Sequence, residues 1–131
     1  MGVQGSLIGL DFGSTFMKAT LVKPGQPFDI VENTASKRKT ETMVTIGKEQ
    51  RSFGADSLLE SAKYPLTTFN EIHRLFGKKY DADFVEKFKE HFKVTNEMVA
   101  DERGFVAWKI TRPQNGDEPA EQEILYSEEI V

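Results

Sequence analysis

Apolar positions near the start of the chain fall in two short runs around a polar knot. Leu7-Ile8-Gly9-Leu10 precedes it and Phe16 to Val22 follows it. Runs of this length predict a buried strand and its antiparallel partner, with the chain reversing between them. A turn cluster, Lys23-Pro24-Gly25-Gln26-Pro27, leads to Phe28-Asp29-Ile30-Val31-Glu32, which reads as a third strand of the meander. Thr42 to Ile46 and Arg51-Ser52-Phe53 flank a turn at Gly47-Lys48-Glu49-Gln50 and predict a second hairpin.

From Gly54 the period becomes helical. Ala55, Leu58, Leu59 and Ala62 share one helical face, and Tyr64-Pro65 marks the stop. Thr68 is expected to cap a helical turn through Asn70–Phe76, closed by Gly77. Phe84, Val85, Phe88 and Phe92 define the core face of another helix, with Asp81 or Asp83 as its cap. Val94–Ala100 and Phe105–Ile110 read as strands around Asp101-Glu102-Arg103-Gly104, with Val106, Trp108 and Ile110 alternating on one face. Pro113 to Pro119 has no apolar residue and is expected to lack order. Glu123-Ile124-Leu125-Tyr126 returns as a strand. Ser127 then reads as the N-cap of a helix whose first turn carries Glu128 and Glu129. A helix ending in its first turn does not repay its nucleation cost, so the native protein is expected to continue past Val131. The small, polar residues 1–6 read as an added leader, with residues 7–131 as the domain portion.

The 131 residues are enough for one domain. A content of 38% hydrophobic and 29% charged residues is that of a globular protein, and a net charge of −4 argues against nucleic acid as the main partner. No run is long and apolar enough to suggest a membrane partner. The absence of cysteine excludes disulfides, thiolate zinc sites and cysteine nucleophiles.

Chemistry concentrates in Asp11-Phe12-Gly13-Ser14-Thr15-Phe16. Gly13 gives the turn its freedom and lets a ligand approach the main chain. Backbone amides from Gly13 to Phe16, with the hydroxyls of Ser14 and Thr15, can converge on a phosphate. Asp11 can hold magnesium through its water shell. The same residues also suit an ordinary hairpin turn, and both readings stay open on the residues alone. Neither G-x-x-x-x-G-K-[ST] nor G-x-G-x-x-G occurs, which excludes the two best-known phosphate loops. Lys37-Arg38-Lys39 reads as a solvated loop, and His91 as an exposed helix residue.

The order of these pieces resembles the amino-terminal part of the nucleotide-binding domain of the seventy-kilodalton heat-shock protein superfamily. The pieces are Gly9-Leu10-Asp11-Phe12-Gly13-Ser14-Thr15, Val22-Lys23-Pro24-Gly25-Gln26-Pro27, Ile30-Val31-Glu32-Asn33, Ser36-Lys37-Arg38-Lys39-Thr40, Phe53-Gly54-Ala55-Asp56, Arg74-Leu75-Phe76-Gly77 and Ser127-Glu128-Glu129-Ile130. The Lys-Pro-Gly-x-Pro and Arg-Lys-Thr pieces are similar to the large, endoplasmic-reticulum-resident glucose-regulated or hypoxia-upregulated branch.

That resemblance implies an α/β (α+β) fold: an actin-like, ribonuclease-H-like ATPase lobe with a small mixed sheet and an inserted subdomain of helices and strands. It implies ATP or ADP with magnesium as cofactor, and Asp11, Gly13, Ser14, Thr15 and Phe16 as the first phosphate loop. It further implies a holdase and nucleotide-exchange chaperone in the endoplasmic reticulum lumen, with a conventional family chaperone and unfolded clients as partners. Family members carry a catalytic lysine where this sequence has His73, and a proline where it has Glu41. A neutral imidazole lacks the fixed charge of lysine, so hydrolysis is expected to be weak. Adenine-holding residues and a second phosphate loop would come from later parts of the domain, so the 131 residues alone are expected to be inactive. Two other readings remain: an actin-like small-molecule kinase, and a protein-binding module exposing Phe84, Phe88, Phe92 and Trp108.

Overall fold

The computed structural model describes residues 5–113 and 121–131. The expectations for most of the leader and most of the Pro113–Pro119 loop therefore lie outside the described residues. The chain divides into two compact units, Met1–Thr42 and Met43–Val131.

In the first unit, β1 (Leu7–Phe12) and β2 (Phe16–Val22) form the expected hairpin, in a register that sets Leu7 opposite Val22 and Phe12 opposite Met17. The meander continues to β3 (Asp29–Ile30), and β4 (Thr40–Glu41) pairs with the start of β2. Two expectations need correction. The sheet is antiparallel throughout rather than mixed, because its connections are too short for the crossover a parallel pair requires. And β1 is not buried: Ile8 is 72% exposed and Leu10 66%. Among the described residues β1 pairs on one edge, with β2, and every one of its residues is exposed.

The second unit holds two three-stranded antiparallel sheets. In one, β5 (Met43–Ile46) lies between β6 (Arg51–Phe53) and β7 (Thr68–Asn70); in the other, β9 (Val106–Thr111) lies between β8 (Glu97–Ala100) and β10 (Gln122–Tyr126). Among the described residues three α-helices accompany them: α1 (Gly54–Glu60), α2 (Ala82–Phe92) and α3 (Ser127–Ile130). Asp81 caps α2 by accepting from the Phe84 amide at 2.8 Å, as anticipated, and Val85 and Phe88 turn inward.

Val106, Trp108 and Ile110 are buried on one face, and Phe69 meets Trp108 edge-to-face at 5.2 Å. Trp108 and Phe88 are thus core residues, which removes them from the exposed protein-binding patch considered above. Phe84 and Phe92 are half-buried against the same core.

Buried hydroxyls explain where periodicity misleads. Helix α1 buries Ser57, whose Oγ lies 2.8 Å from Thr45 Oγ1, while Leu59 is 79% exposed. The sheet beneath offers Thr45 and Thr68, so the polar stripe faces inward and the apolar stripe faces out. Thr68 is not a helix cap; it belongs to β7 and donates to the Tyr64 carbonyl at 2.8 Å. Glu71, at φ 55°, precedes the 3-10 turn Ile72–Leu75 instead.

Ser127 is likewise no N-cap. Its hydroxyl accepts from Trp108 Nε1 at 3.0 Å and donates to the Val106 carbonyl at 3.1 Å. The residue before α3, Tyr126, gives its amide to the Glu129 carboxylate at 2.8 Å. The four-residue helix holds because Ile130 is fully buried, so packing rather than length offsets its nucleation cost.

At the β8–β9 turn the Asp101 carboxylate accepts from the amides of Arg103 and Phe105, each at 2.8 Å, and pairs with Arg103 Nη2 at 2.7 Å. Burial pushes its pKa up, but the Phe105 amide and the Arg103 guanidinium and amide outweigh that and hold it below the ordinary value.

Ser127→Ala leaves Trp108 Nε1 and the Val106 carbonyl without this hydroxyl, and is expected to cost about 1–3 kcal/mol in denaturant unfolding. A depressed folded pKa stabilises above the unfolded value of about 4 and loses that contribution as pH falls through the folded value. Acid unfolding of Asp101→Asn should therefore be shallower below pH ~4 than that of the unsubstituted chain.

Candidate functional site

The β1–β2 turn is set by one close contact. The Gly13 amide donates to the Phe16 carbonyl at 3.2 Å, and a Cβ built on Gly13 would sit 2.8 Å from that same oxygen. A side chain there collides with backbone that cannot swing aside, so this position calls for glycine.

The turn is also held from a distance in sequence. Thr42 Oγ1 donates to the Gly13 carbonyl at 2.8 Å, and the Thr42 amide donates to the Thr15 carbonyl at 3.0 Å. With Phe16 opposite Glu41 and Met17 opposite Thr40, the segment 40–42 braces the turn along one side. Thr42 is buried, while Thr15 is exposed.

The expected site residues from Asp11 to Phe16 are thereby brought together. Asp11 is exposed one residue before the end of β1, opposite Lys18. Ser14 and Thr15 occupy the tip, and Phe16 opens β2. One detail differs from the expectation. The Gly13 amide is committed inside the turn, to the Phe16 carbonyl. His73 lies half-buried in the 3-10 turn Ile72–Leu75 of the second unit.

Sequence reasoning missed Thr42 and Asn33. Asn33 Oδ1 accepts from the amides of Ala35 and Lys37 at 3.0 and 2.9 Å, and its Nδ2 donates to the Lys39 carbonyl and Thr40 Oγ1, both at 3.1 Å. The loop expected to be merely solvated is therefore folded around one side chain, and it delivers β4 to the turn. For Asn33, a residue able to bond its own neighbours at the head of a turn-rich stretch was a usable signal. For Thr42, 29 residues from its partner, there was none.

A sequence model described as "Hsp70 protein" matches residues 7–123. The chain belongs to the Hsp70 family. It is 37% identical over 108 residues to Hypoxia up-regulated protein 1 of Gallus gallus, covering 82% of this chain and 11% of that protein. The same protein of Xenopus tropicalis is 33% identical over 106 residues, with 81% and 16% covered. That of Mus musculus is 33% identical over 116 residues, with 88% and 12% covered. These curated relatives are several times longer than the matched stretch. The mixture of sheets and a few helices is consistent with part of an actin-like Hsp70 ATPase. No described helix is long and apolar enough to cross a membrane.

Gly13→Ala is expected to open the turn and displace the amide signals of residues 12–17 in NMR spectra. Thr42→Val removes the hydroxyl brace at a cost of about 1 kcal/mol, read as faster hydrogen exchange across the β1–β2 hairpin.

Proposed function

We propose that this chain contributes the first phosphate-binding loop of an Hsp70-family chaperone of the hypoxia-upregulated type. The observation that carries this reading is the braced turn: a position that only glycine fits, two hydroxyl residues at the tip, and a carboxylate just before it. Such a turn suits the approach of a polyphosphate to the main chain. In this reading Met43–Val131 is the inserted subdomain of the nucleotide-binding domain.

The donor set fits a magnesium nucleotide. Among the described residues no three potential ligands gather into a metal site. Asp11 would hold a magnesium ion through the ion's water shell, since magnesium keeps most of its waters. Bound magnesium would supply charge neutralisation at the phosphates. Ser14 and Thr15 bind and orient the phosphates; Gly13 and Thr42 keep the tip in shape. His73, at the position of the family's lysine, carries no fixed charge when neutral, so we expect hydrolysis by the parent protein to be slow. By the same resemblance the parent works in the endoplasmic reticulum lumen, holding unfolded clients and serving nucleotide exchange on a conventional family partner.

The test is calorimetric titration of ATP and ADP with magnesium into this chain and into a longer chain carrying the complete domain. Binding by the complete domain, lost in Asp11→Ala, and weak binding without turnover by the 131 residues, are expected. Failure of the complete domain to bind would reduce the turn to a structural hairpin.

A further inference from the structure

One face of the first unit's sheet gathers charge around the turn. Antiparallel neighbours share a face, and residues two apart on a strand share it too. Asp11 is opposite Lys18, and Phe16 is opposite Glu41, so Asp11, Phe16, Lys18 and Glu41 lie on one face. Lys39 joins them, with its Nζ 5.3 Å from the centre of the Phe16 ring. Its backbone is fixed by the Asn33 amide on its carbonyl at 3.1 Å, and the strand that follows it is pinned to the turn through Thr42. Lys39 is thus a cation on a held backbone, resting on the first residue after the Ser14–Thr15 tip.

Its neighbours in the loop are placed differently. The Arg38 guanidinium approaches Glu32 at 4.0 Å. The Lys37 amide is drawn toward Asn33, one residue after Ser36 with its φ of 53°.

We propose that Lys39 is a phosphate-contacting residue of this site, supplying a fixed positive charge beside the Ser14–Thr15 tip; the inference rests on the nucleotide reading above. The ligand class is a linear polyphosphate, free or as the tail of a nucleotide. The Phe16 ring holds the ammonium near the tip without neutralising it, since a ring face attracts a cation but accepts no proton. On this face Lys18 and Lys39 balance Asp11 and Glu41. A divalent cation at Asp11 tips that balance positive, so polyphosphate binding is expected to strengthen with magnesium.

The experiment is titration of inorganic triphosphate, with and without magnesium, followed by amide shifts of residues 13–17. It is run on the full chain and on a longer chain carrying the complete domain. Lys39→Gln should weaken binding roughly threefold to tenfold, Lys39→Arg should largely restore it, and Lys37→Gln should change it by less than about twofold. The effect of Lys39→Gln should persist without magnesium, whereas Asp11→Ala should abolish the binding that magnesium adds. Binding that depends on Asp11 but is indifferent to Lys39→Gln overturns this inference alone. Equal losses from Lys37→Gln and Lys39→Gln also overturn it, because they would mean diffuse attraction without a contact. Absence of any shift in both chains overturns the phosphate reading and this inference together.

Discussion

The contact between Gly13 and the Phe16 carbonyl is the constraint on which the first unit depends. It leaves room for a hydrogen atom and nothing larger, which forces the chain to reverse within three residues. That reversal fixes the β1–β2 register, puts Asp11 and Lys18 side by side, and lifts Ser14 and Thr15 to a tip. Thr42 then bonds the carbonyls on two sides of the tip. A turn held only by its own hydrogen bond would flex; one braced by a separate strand presents its groups in a fixed arrangement, which suits the proposed anion recognition.

In the second unit, buried hydroxyls do work usually assigned to apolar groups. Thr45, Ser57 and Thr68 share hydrogen bonds between strand and helix, and Ser127 bridges the Trp108 ring nitrogen and a strand carbonyl. Each is small enough to sit in the core and is satisfied there, so burial carries little penalty while geometry is enforced. The result is a unit whose helices are short, seven and eleven residues for α1 and α2, and whose order comes from cross-links between elements.

Two departures from the pattern that the resemblance implies bear on the proposed chemistry. On that resemblance His73 stands where a lysine is expected, which is why slow hydrolysis is proposed, and Glu41, which pairs opposite Phe16 in β4, stands where a proline is expected. A proline there would have no amide to offer the strand. The glutamate also adds negative charge to the face that carries Asp11, which in the proposed reading makes a nearby lysine and a metal ion more consequential for holding phosphate.

The sequence by itself determined the local grammar. Runs and turn residues placed the first hairpin, the β5–β6 hairpin, the β8–β9 hairpin and β10, because strand alternation and turn chemistry are written in adjacent residues. Asp81 and the phenylalanine spacing placed α2, and Asp11 through Phe16 were legible as a candidate site because they are contiguous. The tertiary structure alone decided which stripe of α1 faces inward, since that depends on Thr45 and Thr68 lying beneath it. It alone gave Thr68 and Ser127 to the core, where their partners are distant in sequence. It exposed β1, whose apolar run predicts burial but whose residues stay open to solvent. And it brought Thr42 and Lys39 to the turn, through a strand pairing that no local pattern encodes.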